Sequence, residues 1–356
     1  MEAVVLGRRR ILLDLAAVKA LGSWIAMASG GSIGREGPLI QFGGALGGAV
    51  GRLFRMRGTE TRALIAAGTA AGFAAAYNTP LSAVLFVVEI MTGVVALDVI
   101  LPAIIATPIA TALTRFVAGG GPIYGHGVSM TSSDVDLLVY AVLGAFAGIA
   151  GPAFMGLLRR GETFFDEIRL PRPARGALGG LCVGALAIRL PQVTGNGYEA
   201  INLILDGALS TALVVVLFFA KAFATTASVS SGSPGGVFTP VLFLGAALGA
   251  AYGHLAVLVG PAGATSIGGY ALVGMAAMTA ATTHAPVLSA VMVFELSGNY
   301  AIVLPLLIAT AISTAVSRWI RSSSIYMDEL HRRGRGWDMT LAGRKMRSGS
   351  HTEPES

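Results

Sequence analysis

The chain has 356 residues, of which 54% are hydrophobic and 12% charged; a soluble domain carries about 25% charged residues, so a water-exposed globule is excluded and a membrane protein is indicated. The net charge of +6 is spread over Arg8–Arg10, Arg52–Arg62, Arg159–Arg175 and Arg318–Arg347, each group at the edge of an apolar block, which is the positive-inside pattern and argues against nucleic-acid binding. The single cysteine, Cys182, rules out an intrachain disulfide and is expected only to pack.

In chain order, MEAVVLGRRR places its charges after a very short apolar stretch, the reverse of a signal peptide. Apolar segments follow near 11–33, 63–92, 95–117, 136–158, 176–190, 207–229, 240–260, 268–296 and 300–319. Between Arg62 and Arg115 only Glu89 and Asp98 carry a formal charge, and between Arg189 and Arg318 only Glu199, Asp206, Lys221 and Glu295. Several segments are too short or too interrupted to cross a bilayer upright, so tilted, broken and partly spanning helices are expected. The 48 glycines suit close helix contacts. The polar residues after Tyr326 are expected to form a disordered tail.

The chain repeats itself. A shift of 202 places Lys19 on Lys221, Gly34 on Gly236, Pro38 on Pro240, Gly43 on Gly245, Gly47 on Gly249 and Gly51 on Gly253. A shift of 206 places Gly68 on Gly274, Asn78 on His284, Pro80 on Pro286 and Glu89 on Glu295, and a shift of 203 places Arg115 on Arg318. Paired repeats whose broken helices face each other in mid-membrane are a common way to build a transport site. The second repeat has apolar sequence from about Leu137 ahead of Lys221, whereas 18 residues precede Lys19. We therefore expect the first repeat, residues 1–117, to lack its opening helices through N-terminal truncation or a minimal form. The second is expected over 118–326 and a polar cytoplasmic tail over 327–356.

SGGSIGREGP (29–38) and SSGSPGGVFTP (230–240) each put a glycine- and serine-rich turn before a proline that opens a helical pattern. Proline suits the first helical position, and the free N–H groups there carry the positive end of the helix dipole. Two such starts converging from two repeats would hold an anion weakly enough to release it. Glycine kinks for packing are the bland alternative. Glu36 lies inside the first motif, where its carboxylate could occupy the anion site until protonated or displaced, which makes it a candidate gate; helix capping is the alternative. Its repeat mate, Phe238, could constrict the same pathway. Glu89 and Glu295 are expected to cap neighbouring backbone. Lys19 and Lys221 could bias the potential toward anions or snorkel to an interface. His284 is expected to make a structural hydrogen bond at a helix start.

GREGP at 34–38, GGVFTP at 235–240, NTPL at 78–81 with its downstream VVE, and SSIYMDELHRRG at 323–334 resemble, in order and spacing, the signatures of the CLC chloride channels and chloride/proton antiporters. The resemblance covers nearly the whole chain. It implies an all-α membrane protein with the CLC-type inverted repeat, here with the first repeat incomplete. It implies chloride transport through each subunit of a homodimer in the lipid bilayer, with protons as a further partner if the chain is an antiporter. It implies Glu36 as the gate and an anion site around Gly34, Arg35, Gly37, Val237, Phe238 and Tyr326. Read alone, a tyrosine such as Tyr326 is more often an interfacial aromatic.

Two departures are evident. The family's GSGIP motif, which carries the anion-coordinating serine, has no match here, and the residue after Glu89, where antiporters carry a proton-transfer glutamate, is Ile90. Channel and antiporter both remain open. No catalytic residue, metal site or cofactor is expected. The rivals are a non-transporting fragment and, remotely, an intramembrane enzyme using Ser231 or Ser233 with His284. Arginine far outnumbers lysine, which suits a multi-pass protein of a bacterial inner membrane.

Overall fold

The computed structural model describes residues 12–121, 123–124, 134–259, 266–332, 337–340 and 343–346. Helix α1 spans Leu13–Ala28, α2 Glu36–Leu53, α3 Thr59–Tyr77, α4 Pro80–Leu85 with a π-helical continuation Phe86–Thr92, and α5 Leu97–Ala118. Then come α6 (Asp134–Glu167), α7 (Arg172–Ala187) and the short α8 (Tyr198–Leu205). The series closes with α9 (Thr211–Ser230), α10 (Phe238–Val259), α11 (Ile267–Thr283), α12 (Pro286–Ser297), α13 (Val303–Ile320) and α14 (Ile325–Arg332).

Helix boundaries follow the sequence repeat. The starts of α2 and α10 lie 202 residues apart, and those of α4 and α12 lie 206 apart. Between the halves, Gly34 and Gly236 form an antiparallel bridge in which each N–H donates to the other's carbonyl, at 2.7 and 2.8 Å. Such a reciprocal pair between equivalent residues places a local two-fold axis between them. The halves therefore face each other inverted.

The segments 63–92 and 268–296, read from sequence as continuous, are each broken once. Asn78 and His284 end α3 and α11 in the left-handed region, at φ 58° and 57°, where Asn and His are tolerated better than most residues. Pro80 and Pro286 then open α4 and α12. Arg115 Nε donates to Asn78 Oδ1 at 2.7 Å, and its repeat mate Arg318 donates to the His284 carbonyl at 3.2 Å. The 12-residue α12 rises about 18 Å, well short of a hydrocarbon layer of about 30 Å, so it ends within the membrane. Among the described residues five stretches are long and apolar enough to cross: Leu97–Ala118, Leu137–Glu167, Thr211–Ser230, Phe238–Val257 and Tyr300–Asp328.

Helix α11 forms the centre of the second half, with every residue from Gly268 to Thr283 buried. Glycine sets its distance from α10: a Cβ on Gly274 would run into the Gly245 carbonyl, as one on Gly68 would into that of Gly43 in the α2–α3 pair. The expectation of a disordered tail fails in part. Helix α14 continues to Arg332, and Trp337–Thr340 (β1) pairs antiparallel with Gly343–Met346 (β2).

A candidate anion site at two facing helix starts

Glu36 and Phe238 are the first residues of α2 and α10. The sequence placed Pro38 and Pro240 at those first positions. Instead each proline lies two residues inside, still within the first turn, where a missing N–H leaves no helical bond unmade. The correction places the free amides of α10 on Phe238 and Thr239.

The Glu36 side chain crosses the two-fold axis to reach them. Its Oε1 accepts the N–H of Phe238 at 2.7 Å and that of Thr239 at 3.3 Å, and its Oε2 accepts the Thr239 hydroxyl at 3.1 Å. The carboxyl group thus lies at the positive end of the α10 dipole. Glu36 is 2% exposed, so water does not compete for these bonds. Glycine is required on both sides of it, because a Cβ at Gly34 or Gly236 would strike the carboxylate.

Behind Thr239 stands Tyr77, the last residue of α3, whose hydroxyl lies 2.9 Å from Thr239 Oγ1. The rings of Phe73, Tyr77 and Phe238 pack together, with centroids 5.1 Å apart for Phe73–Tyr77 and 5.7 Å for each of the other two pairs. Phe238 is 2% exposed and closes the site on this side. Neither Thr239 nor Tyr77 was singled out from the sequence. The signal was present, since Thr239 is inside GVFTP and Tyr77 directly precedes NTPL.

Glu36 opens on its other side to a cavity of about 1020 Å³ whose walls include Gly37, Val237, Phe238 and Tyr326. Four of the six predicted anion-binding residues therefore meet around one space, together with the predicted gate. Tyr326, in α14, stands edge-on to Phe86 of the π-helical segment at 6.1 Å. The other two predicted residues are committed elsewhere. The Gly34 N–H is bonded to Gly236, and the Arg35 guanidinium donates to the Ala76 carbonyl at 2.7 Å, tying the start of α2 to the end of α3.

Ile90 also lines the cavity and is 2% exposed, so the position carries an apolar wall in place of an acid. Farther along the same cavity lie Arg159, Glu162 and Asp166 of α6 and Asp328 of α14. Arg321 forms a salt bridge with Asp328, and Arg175 pairs with Asp166 at 3.5 Å.

The remaining intramembrane polar residues hold the frame. Glu89 accepts from the amides of Val287 and Leu288, and Glu295 from those of Leu81 and Ser82. Lys221 does not snorkel. It is fully buried, donates to the carbonyls of Val193 and Gly195 at 2.9 Å each, and lies over the Phe243 ring. Lys19 makes a looser contact with Gln41 Oε1 at 3.4 Å. His284 ends α11 just ahead of α12, with Nε2 3.2 Å from Ser317 Oγ. Among the described residues no cluster of potential metal ligands occurs.

Comparison with known proteins places this geometry. The sequence profile of a family described as voltage gated chloride channel matches residues 1–318. A chain described as ClcB-like in Ralstonia nicotianae is 39% identical over 336 residues, covering 93% of this chain and 78% of its own length. The voltage-gated ClC-type chloride channel ClcB of Escherichia coli is 37% identical over 310 residues, covering 87% and 74%. Among solved structures, a slow cyanobacterial Cl−/H+ antiporter superposes with a TM-score of 0.84 at 27% identity, over 90% of this chain and 76% of its own. A CLC-type fluoride/proton antiporter gives 0.75 at 24% identity, covering 86% and 74%, and speaks for the fold alone.

Proposed function

This chain belongs to the CLC family of voltage-gated chloride channels and transporters, and we propose that within it Glu36 is the gate of a chloride pathway formed where α2 and α10 meet. The observation that carries this reading is the seating of the Glu36 carboxylate on the Phe238 and Thr239 amides and the Thr239 hydroxyl. A carboxylate that satisfies a helix N-terminus occupies the place a chloride ion would take, so the two compete. The anion that replaces it is held by amides around Gly37, Val237 and Phe238 and by the Tyr326 hydroxyl. Gly34 and Arg35 serve the same site by fixing the two helix starts. Partial charges suit an ion that must also leave.

The family transports, and we read this chain as a transporter without enzymatic chemistry. With Ile90 forming an apolar wall, any proton must travel by another lining group. The halves are proposed to divide near residues 117 and 118, with a separate tail from 327. Apolar side chains exposed on α5 and α13, among them Ile105, Leu113, Leu304 and Trp319, face lipid or a second copy in a homodimer. The apolar helices and the bacterial relatives support a multi-pass protein of a bacterial inner membrane. The test is chloride efflux from liposomes holding the purified protein, with external pH recorded together. Flux that changes with Glu36→Ala supports the gate, and the pH trace separates antiporter from channel; folded protein whose flux ignores that substitution overturns the reading.

A further inference from the structure

We propose that Thr239 and Tyr77 form a hydroxyl latch that holds the Glu36 gate shut and sets the pH at which it opens. The inference deepens the gate reading and rests on it. Glu36 is bound by more than backbone: a charged carboxylate can only accept, so the Thr239 hydroxyl must spend its one proton on Oε2 at 3.1 Å,. Its oxygen is then free to accept, and the Tyr77 hydroxyl at 2.9 Å must be the donor. The direction of the whole chain, Tyr77 to Thr239 to Glu36, follows from the charge at its end.

Protonation of Glu36 reverses that logic. The carboxylic acid now has a proton to donate, Thr239 can accept it, and Thr239 in turn can donate to Tyr77. The strongest bond in the chain, the one made to an ionised acceptor, is lost. All three groups are 3% exposed or less, so the bond is shielded from bulk water. The latch favours the ionised, seated gate and lets go when a proton arrives.

The Phe238 and Thr239 amides and the α10 dipole also favour the ionised carboxylate,, and the hydroxyl latch adds to that preference. On its own side Arg35 is bonded to the Ala76 carbonyl. Tyr124, Tyr77 and Tyr326 are the titratable groups that feel its charge from neighbouring elements, and each is a neutral hydroxyl at physiological pH. Arg159, Glu162, Asp166 and Asp328 face the same cavity. Of these groups only Tyr77 acts through Thr239.

The test compares the pH dependence of chloride flux in liposomes for Thr239→Val, which keeps the side-chain shape without the hydroxyl, and Thr239→Ser, which keeps the hydroxyl. Removing one bond to an ionised group is expected to move the flux midpoint by about one pH unit toward alkaline pH, a tenfold change in proton affinity. Thr239→Ser should match the parent. Tyr77→Phe should move the midpoint the same way by less, and should add nothing to Thr239→Val, because Tyr77 acts only through Thr239. In a Glu36→Gln background Thr239→Val should leave the pH profile flat. The infrared carboxylate stretching bands of ionised Glu36, isolated by subtracting Glu36→Gln spectra, should shift in Thr239→Val and read the bond without flux. A folded Thr239→Val protein with the parent's midpoint and bands overturns the latch, as does a Tyr77→Phe effect that persists without the Thr239 hydroxyl. If Glu36→Gln itself keeps the parent's pH response, the gate reading has failed, and the latch falls with it.

Discussion

Glu89 and Glu295 each cap the start of the helix that carries the other, across the two-fold axis. Glu89, at the end of the first half's broken pair, accepts from the amides of Val287 and Leu288 at 3.3 and 2.6 Å at the start of α12. Glu295 accepts from those of Leu81 and Ser82 at 2.9 and 2.8 Å, and from the Ser82 hydroxyl, at the start of α4. Each short helix begins inside the membrane, where no water can satisfy its first amides, and the acid comes from the opposite half.

Glu295→Ala should therefore destabilise the protein by about 1–3 kcal/mol, the cost of leaving such amides unpaired. Glu295→Gln, which keeps one acceptor oxygen, should cost less. Thermal unfolding in detergent measures both. Because neither residue lines the cavity beside Glu36 through its carboxylate bonds, the pH midpoint of flux should stay with the parent; a midpoint that moved with Glu295→Gln would show that the cap and the gate are coupled.

The pH response has a sign fixed by the seat of Glu36. Its ionised carboxylate accepts three hydrogen bonds from α10, whereas a protonated one loses its charge and offers a poorer acceptor. Acidification should release the side chain and raise chloride flux. Glu36→Gln resembles the protonated form, so its flux should be high and flat with pH. Retention of the parent's pH slope in this variant would remove Glu36 from the gate.

The repeat was legible because both halves preserve residues that start and pack helices, Pro80 with Pro286 and Gly43 with Gly245, whereas the breaks within 63–92 and 268–296 were not, because the apolar run continues across them. Equal spacing between such residues survives where identity elsewhere does not. Helix α2 was legible only as a motif and not as an apolar span, since Gly37, Gly43, Gly44, Gly47, Gly48 and Gly51 dilute its hydropathy while allowing its contact with α3. The π-helical turn at Phe86–Thr92 left no pattern of its own. It breaks the symmetry, for the matching part of α12 is plain α-helix. The exchange of capping acids needed the fold as well: sequence spacing paired Glu89 with Glu295 but could not show that each serves the start of the other's own helix. Thr239 escaped for a related reason, because a hydroxyl one position beyond a matched phenylalanine acquires its meaning only when Glu36 arrives from 203 residues earlier.

Lys221 offers a test of what a buried ammonium does here. It is fully buried on α9 and donates to the Val193 and Gly195 carbonyls, holding the turn that leads into α8. Lys221→Met would leave both carbonyls without that donor at about 1–3 kcal/mol each, partly offset because no charge need then be desolvated. A net loss of about 2 kcal/mol is expected, with faster amide exchange confined to residues 193–197. Unchanged stability would show that water enters to replace the ammonium, and that the lysine is retained for its charge.

Two glycines on different helices separate packing from propensity. A Cβ on Gly274 would meet the Gly245 carbonyl and lie 2.7 Å from the Gly249 Cα, whereas one on Gly156 of α6 meets nothing within 4 Å. Alanine is the better helix former by about 0.5–1 kcal/mol, so Gly156→Ala should be neutral or mildly stabilising. Gly274→Ala must push α11 away from α10 and should cost about 1–3 kcal/mol. The displacement has a functional consequence, because α10 carries the Phe238 and Thr239 amides that seat Glu36. Gly274→Ala should therefore also loosen the gate and move the flux midpoint to higher pH, while Gly156→Ala leaves it in place. If Gly274→Ala lost stability but kept the parent's midpoint, the strain would be absorbed within α11, and the α10 helix start would be held by its bridge between Gly34 and Gly236 alone.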